Sequence, residues 1–139
     1  MSDFAVVYAT RTRHSAKLAQ GIAQSLGVSA RNVLETPVLA GVDLLILVGG
    51  VYGGESLPDM LSFVRGLKPG MARRAALVTT CASKKRGQQT VRALLEERGI
   101  PVGGEWIGAG SFLIMNMGHP NGADVQAAVQ FARGLAEKG

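Results

Sequence analysis

Apolar residues arrive along this chain as short unbroken runs separated by stripes at helical spacing. Phe4-Ala5-Val6-Val7-Tyr8-Ala9 is the first run, and Leu18, Ala19, Ile22, Ala23 and Leu26 then recur on one helix face before Gly27. The pattern predicts a strand over 4–9 and a helix over 14–26. Residues 28–34 are weaker, because Arg31 and Asn32 interrupt them, and predict a short edge strand. Val42-Asp43-Leu44-Leu45-Ile46-Leu47-Val48 is nearly all apolar, as expected of a parallel strand covered on both faces. A second helix follows, with Ser56 as its cap, Pro58 in its first turn, and Met60, Leu61, Val64 and Leu67 facing inward until Pro69-Gly70. Residues 75–80 read as another buried strand. The third helix turns Val91, Leu94 and Leu95 inward and stops at Gly99. The last strand is expected over 105–112, irregular at Gly108 and Gly110. A final helix opens near Asn121, with Asp124 in a capping-box-like position and Val125, Ala128, Val129, Ala132 and Leu135 on its apolar face.

Strand and helix alternate throughout, which predicts one α/β domain over 1–139: a doubly wound, three-layer α/β/α fold on a five-stranded parallel sheet. The strand order expected is 2-1-3-4-5, with a ligand site outside the carboxyl ends of the strands, where the first and third meet. The loops brought there are 10–15, 49–57 and 80–87, chemically the most distinctive in the chain. The first carries Thr10, Thr12 and Ser15 at the opening of a helix. Free backbone N–H groups and the helix dipole add positive potential at such a point, so three hydroxyl donors there suit a phosphate monoester. A hydroxyl-rich turn is also an ordinary helix start, so the residues alone leave both readings open.

Thr10-x-Thr12-x-x-Ser15 resembles the FMN-phosphate loop of flavodoxins, Thr/Ser-x-Thr-Gly-x-Thr/Ser. Arg13 stands in place of the family's glycine. Either it takes a backbone conformation costing about 1–2 kcal/mol, or the loop is re-formed with the arginine turned outward or towards the phosphate. The likeness extends to Gly104-Glu105-Trp106 and to Gly118-His119-Pro120-Asn121, which is similar to the turn opening the last helix of flavodoxin domains.

The resemblance implies FMN as cofactor. Thr10, Arg11, Thr12, Arg13, His14 and Ser15 would then hold the phosphate. Gly50, Val51, Tyr52, Gly53 and Gly54 would close on one side of the isoalloxazine ring, and Thr80, Cys81, Ala82 and Ser83 on the other. Tyr52 is the one aromatic in either loop; it stacks on the flavin or packs under its own glycine loop. Gly53 and Gly54 would lie near the flavin N5, where a glycine peptide can reverse its orientation because no Cβ opposes either one. Cys81 lines the ring or fills space.

A hydrophobic content of 47% with 18% charged residues marks a folded globular chain. Membrane spans need roughly 20 consecutive apolar residues and none is present; the amino terminus lacks a signal pattern. A single cysteine excludes an internal disulfide and suits a reducing cytoplasm. The net charge of +5 departs from the acidic surface usual in flavodoxins. It suits an acidic-surfaced redox partner or a simply solvated cationic surface. With 5% aromatics and the basic residues scattered as Arg11/Arg13, Arg73/Arg74 and Lys84/Lys85/Arg86, nucleic acid is not the expected partner.

Other chemistries that use this architecture lack their residues here. A receiver domain needs acidic residues where Ala9-Thr10 and Gly49-Gly50 stand. A low-molecular-weight phosphatase needs Cys-x5-Arg after the first strand, whereas Cys81 lies elsewhere and Gly87 occupies the arginine position. The Gly-x-Gly-x-x-Gly of nicotinamide binding is absent. Two distant histidines and one cysteine make a poor metal set, and no Ser/His/Asp or paired-carboxylate constellation is evident. The expectation is an FMN-binding electron carrier shuttling between a reductase and an acceptor enzyme, with no catalytic residues of its own. The alternatives are a flavodoxin-fold oxidoreductase acting on a quinone, tetrapyrrole or similar planar substrate, and an interaction module that has lost FMN. The apolar run 112–117 lines a substrate cleft or a partner face if exposed, and is otherwise core or strand edge.

Overall fold

A computed structural model describes residues 4–9, 14–35, 39, 41–52, 55–81, 88–108 and 122–137. The elements are β1 (Phe4–Ala9), α1 (His14–Leu26), β2 (Ala30–Asn32), a 3-10 turn (Val33–Glu35), β3 (Val42–Tyr52), β4 (Glu55–Ser56), α2 (Pro58–Arg65), β5 (Ala72–Cys81), α3 (Gln89–Glu97), β6 (Val102–Gly108) and α4 (Gly122–Glu137). Five strands run parallel in the order β2-β1-β3-β5-β6, the order expected from the sequence; β4 adds a short antiparallel pairing to β3.

Side chains on the central strands alternate between two cores, as the two-residue period of a strand requires. Val7, Leu45, Leu47, Ala75 and Leu77 pack with α2 and α3. Val6, Leu44, Ile46, Val48, Ala76 and Val78 pack with α1 and α4. Both faces being covered explains why β3 reads as a continuous apolar run. Each Leu, Ile or Val removed from water in this way contributes about 1.5–3 kcal/mol.

Several boundaries differ from the sequence expectation. β3 continues past Val48 to Tyr52 because backbone partners persist there: Val51 pairs with Cys81 of β5 and with Ser56 of β4. Ser56 is therefore a strand residue. Leu57 takes the N-cap position of α2 without a side-chain cap bond, and its own side chain is buried. The second strand shrinks to 30–32 since Asn32 starts a local turn. Its Oδ1 accepts from the Leu34 amide at 2.9 Å, and its own amide donates to Glu35 Oε1 at 2.9 Å. β5 starts at Ala72, ahead of the expected 75, and the Asp43 carboxylate of β3 draws in Arg73 at 3.1 Å and Arg74 at 3.6 Å there. β6 begins at Val102, earlier than the expected 105; residues 109–112, and the 112–117 run, lie outside the described residues.

Candidate functional site

Three neighbouring strands end at the same edge of the sheet, with β1 stopping short of β3 and β5. Ala9, the last residue of β1, is level with Gly49 of β3; Gly50 and Val51 are level with Thr80 and Cys81 of β5. Because these strands are parallel, the connections after them leave the same edge of the sheet. They then part: β1 leads to α1 in one layer, while β3 leads to α2 in the other. A crevice at the carboxyl edge follows from that divergence. Since β5 holds one edge of Val51, the pairing of Ser56 with Val51 must use the other edge, so β4 continues the line of β1 beyond Ala9.

The candidate residues fall on this edge as far as they are described. His14 and Ser15 are the first two residues of α1, whose opening turn contains no acidic residue to offset the positive end of the helix. Gly50, Val51 and Tyr52 close β3, with Gly50 buried, and Thr80 and Cys81 close β5. Thr10, Arg11, Thr12, Arg13, Gly53, Gly54, Ala82 and Ser83 lie outside the described residues.

Sequence reasoning missed a polar cluster just beneath this edge. Glu105 of β6 accepts through one carboxylate oxygen, Oε2, from the Thr79 hydroxyl at 2.6 Å and from the Gln88 amide at 2.8 Å. Its other oxygen lies 3.5 Å from Arg92 of α3. The Gln88 side chain, 1% exposed, donates through Nε2 to Thr79 Oγ1 at 3.1 Å and to the Val78 carbonyl at 3.3 Å. Val78 offers only an acceptor, which fixes the carboxamide with nitrogen towards β5. Gln88 Oε1 is consequently buried with no hydrogen-bond partner among the described residues. It lies over Gly49: a Cβ built there would sit 3.1 Å from this oxygen and 3.4 Å from Met60 Cε. A charged residue inside an otherwise apolar, glycine-rich strand was the available signal, since such a group is rarely buried unpaired.

Four of the described arginines, Arg73, Arg74, Arg92 and Arg98, have partners within the protein. Arg73 and Arg74 meet Asp43, and Arg92 meets Glu105. The Arg98 guanidinium donates to the Arg65 carbonyl at 2.9 and 3.2 Å, joining the ends of α2 and α3. Cations at helix carboxyl ends offset the dipole there.

The fold is flavodoxin-like. The structure is similar to a short-chain flavodoxin associated with a non-canonical PDU bacterial microcompartment, with TM-score 0.72, 18% identity, and 99% of each chain covered. It is also similar to a flavodoxin from the domain Archaea, with TM-score 0.67, 12% identity and 97% of each chain covered. Against Megasphaera elsdenii flavodoxin the TM-score is 0.61 at 18% identity, covering 76% of this chain and 85% of that one. No protein-family model and no curated protein matches the sequence.

Proposed function

We propose that this chain is an FMN-binding electron carrier that takes electrons from a reductase and passes them to an acceptor protein. The observation that carries the reading is the common carboxyl edge of β1, β3 and β5, which brings the starts of all three candidate loops side by side. The donor chemistry fits the cofactor. A helix amino end with no acidic residue in its first turn, just after Thr10 and Thr12 in the chain, suits a phosphate, and the small Gly50 close to the end of β3 suits a flat ring lying near backbone. The flavodoxin neighbours support the same cofactor. FMN, when bound, supplies the electron chemistry; the protein's part is to hold it, limit its exposure and bias its charge states.

In this reading, the 10–15 hydroxyls and backbone donors hold the phosphate. Val51, Tyr52, Gly53 and Gly54 flank one side of the ring, and Thr80, Cys81, Ala82 and Ser83 the other. Redox partners would be acidic-surfaced proteins, matching the net charge of +5. A single cysteine and this role suit the cytoplasm. Among the described residues no helix is long and apolar enough to cross a membrane.

The test is the absorption spectrum of the purified protein, followed by FMN titration of any colourless fraction. Saturable one-to-one uptake with a flavin spectrum is expected. A protein that takes up no FMN would be an interaction module instead. Turnover of a quinone without partner proteins would make it an oxidoreductase in its own right.

A further inference from the structure

We infer that Glu105 is a positioning residue for the cofactor edge: one carboxylate oxygen ties the end of β5 to the start of α3 and so fixes the frame from which the third loop is hung. The inference rests on the FMN reading above. Thr79 precedes the segment 80–87 and Gln88 follows it, and both donate to the same Oε2, at 2.6 and 2.8 Å. The Gln88 carboxamide closes the arrangement by donating back to Thr79 Oγ1 and to the Val78 carbonyl. Arg92 at 3.5 Å engages the remaining oxygen from the first turns of α3. β6 thus adds a charged tether to the two direct Gln88 side-chain bonds, so that the end of β5 and the start of α3 are held to each other and to one carboxylate oxygen.

Folding alone does not call for this carboxylate. The side chain of Glu105 is 11% exposed and sits among apolar strands, where burying charge is costly and a well-packed apolar residue of similar size is often no worse for stability. What the carboxylate does supply is two short charge-assisted bonds converging on one atom, which specify a geometry far more narrowly than apolar contact. Thr80 and Cys81 follow Thr79 directly and close β5. A frame fixed before binding spares FMN the ordering of that edge, which is the source of the affinity gain.

The experiment compares wild type with Glu105→Ala, Glu105→Gln, Thr79→Val and Thr79→Ser. It measures FMN dissociation constants and, in the apo proteins, NMR hydrogen exchange of the Gln88 amide. Removing bonds to a charged acceptor should weaken FMN binding about tenfold or more in Glu105→Ala. Glu105→Gln keeps an acceptor oxygen and should lose less. Thr79→Ser keeps the hydroxyl and should stay near wild type, whereas Thr79→Val should not. Gln88 exchange should accelerate in the same order. Wild-type FMN affinity in Glu105→Ala overturns the inference while leaving the FMN reading intact; failure of wild type to bind FMN removes both. If Glu105→Ala does not fold, the Thr79 pair decides: equal affinities for valine and serine sink the inference, and loss with valine alone supports it.

Discussion

Gly49→Ala isolates a packing constraint near the carboxyl end of β3 with a single methyl group. The new Cβ would stand 3.1 Å from Gln88 Oε1 and 3.4 Å from Met60 Cε. Met60 is flexible, but Gln88 is not: its carboxamide is held by Val78 and Thr79 and its amide by Glu105. The methyl therefore acts as overpacking, which costs about 1–3 kcal/mol in a filled core. Against this stands the gain from replacing glycine within a strand, about 0.5–1 kcal/mol. The net expectation is destabilisation centred on about 1 kcal/mol and reaching about 2.5 kcal/mol, read as a lower urea midpoint with an unchanged m-value. In a Gln88→Ala background the obstructing oxygen is gone, and the same substitution should become neutral or mildly stabilising. A Gly49→Ala protein as stable as wild type, or an equal cost in both backgrounds, would refute the claim that Gln88 is what requires glycine there.

Four further outcomes are expected. Thr12→Ala should weaken FMN binding by about 1.5–3 kcal/mol if its hydroxyl meets the phosphate, and binding of riboflavin, which lacks the phosphate, should be unaffected by it. Tyr52→Ala should lose about 0.5–1.5 kcal/mol of ring affinity and shift the visible flavin bands; an unchanged spectrum and affinity would place the tyrosine under its own loop. The cationic surface should favour the fully reduced, anionic flavin, so redox titration should give a second potential less negative than in acidic flavodoxins, with the difference shrinking as salt rises. Leu77→Ala, in the middle of β5 and fully buried, should cost about 2–5 kcal/mol in denaturant unfolding while the folded fraction keeps its FMN stoichiometry.

The apolar pattern alone reveals the architecture because burial is set by local geometry. A strand covered on both faces must be apolar at consecutive positions, so 42–48 announces its central place without reference to any other residue. Likewise α1 falls at 14–26 as read, since its face spacing and the Gly27 stop are both local; Gly27 takes φ +74°. That β1, β3 and β5 run parallel and present their carboxyl ends at one edge of the sheet follows one step further on, from the alternation of strand and helix.

What escaped was decided by register. Ser56 looks like a helix cap until β3 is seen running to Tyr52 with β4 folded back along it. The charge of Glu105 within an apolar strand signals that it has a partner, but nothing in the chain marks Thr79, Gln88 or Arg92 as that partner; they meet because β5, β6 and α3 stack at particular heights. Periodicity is a property of each segment in isolation, whereas a hydrogen bond between distant polar atoms exists only when tertiary packing sets their separation to within a few tenths of an ångström. The sequence by itself therefore determined the layers and the edge where a ligand would sit, and the packing of those layers decided which buried polar groups stand behind that edge.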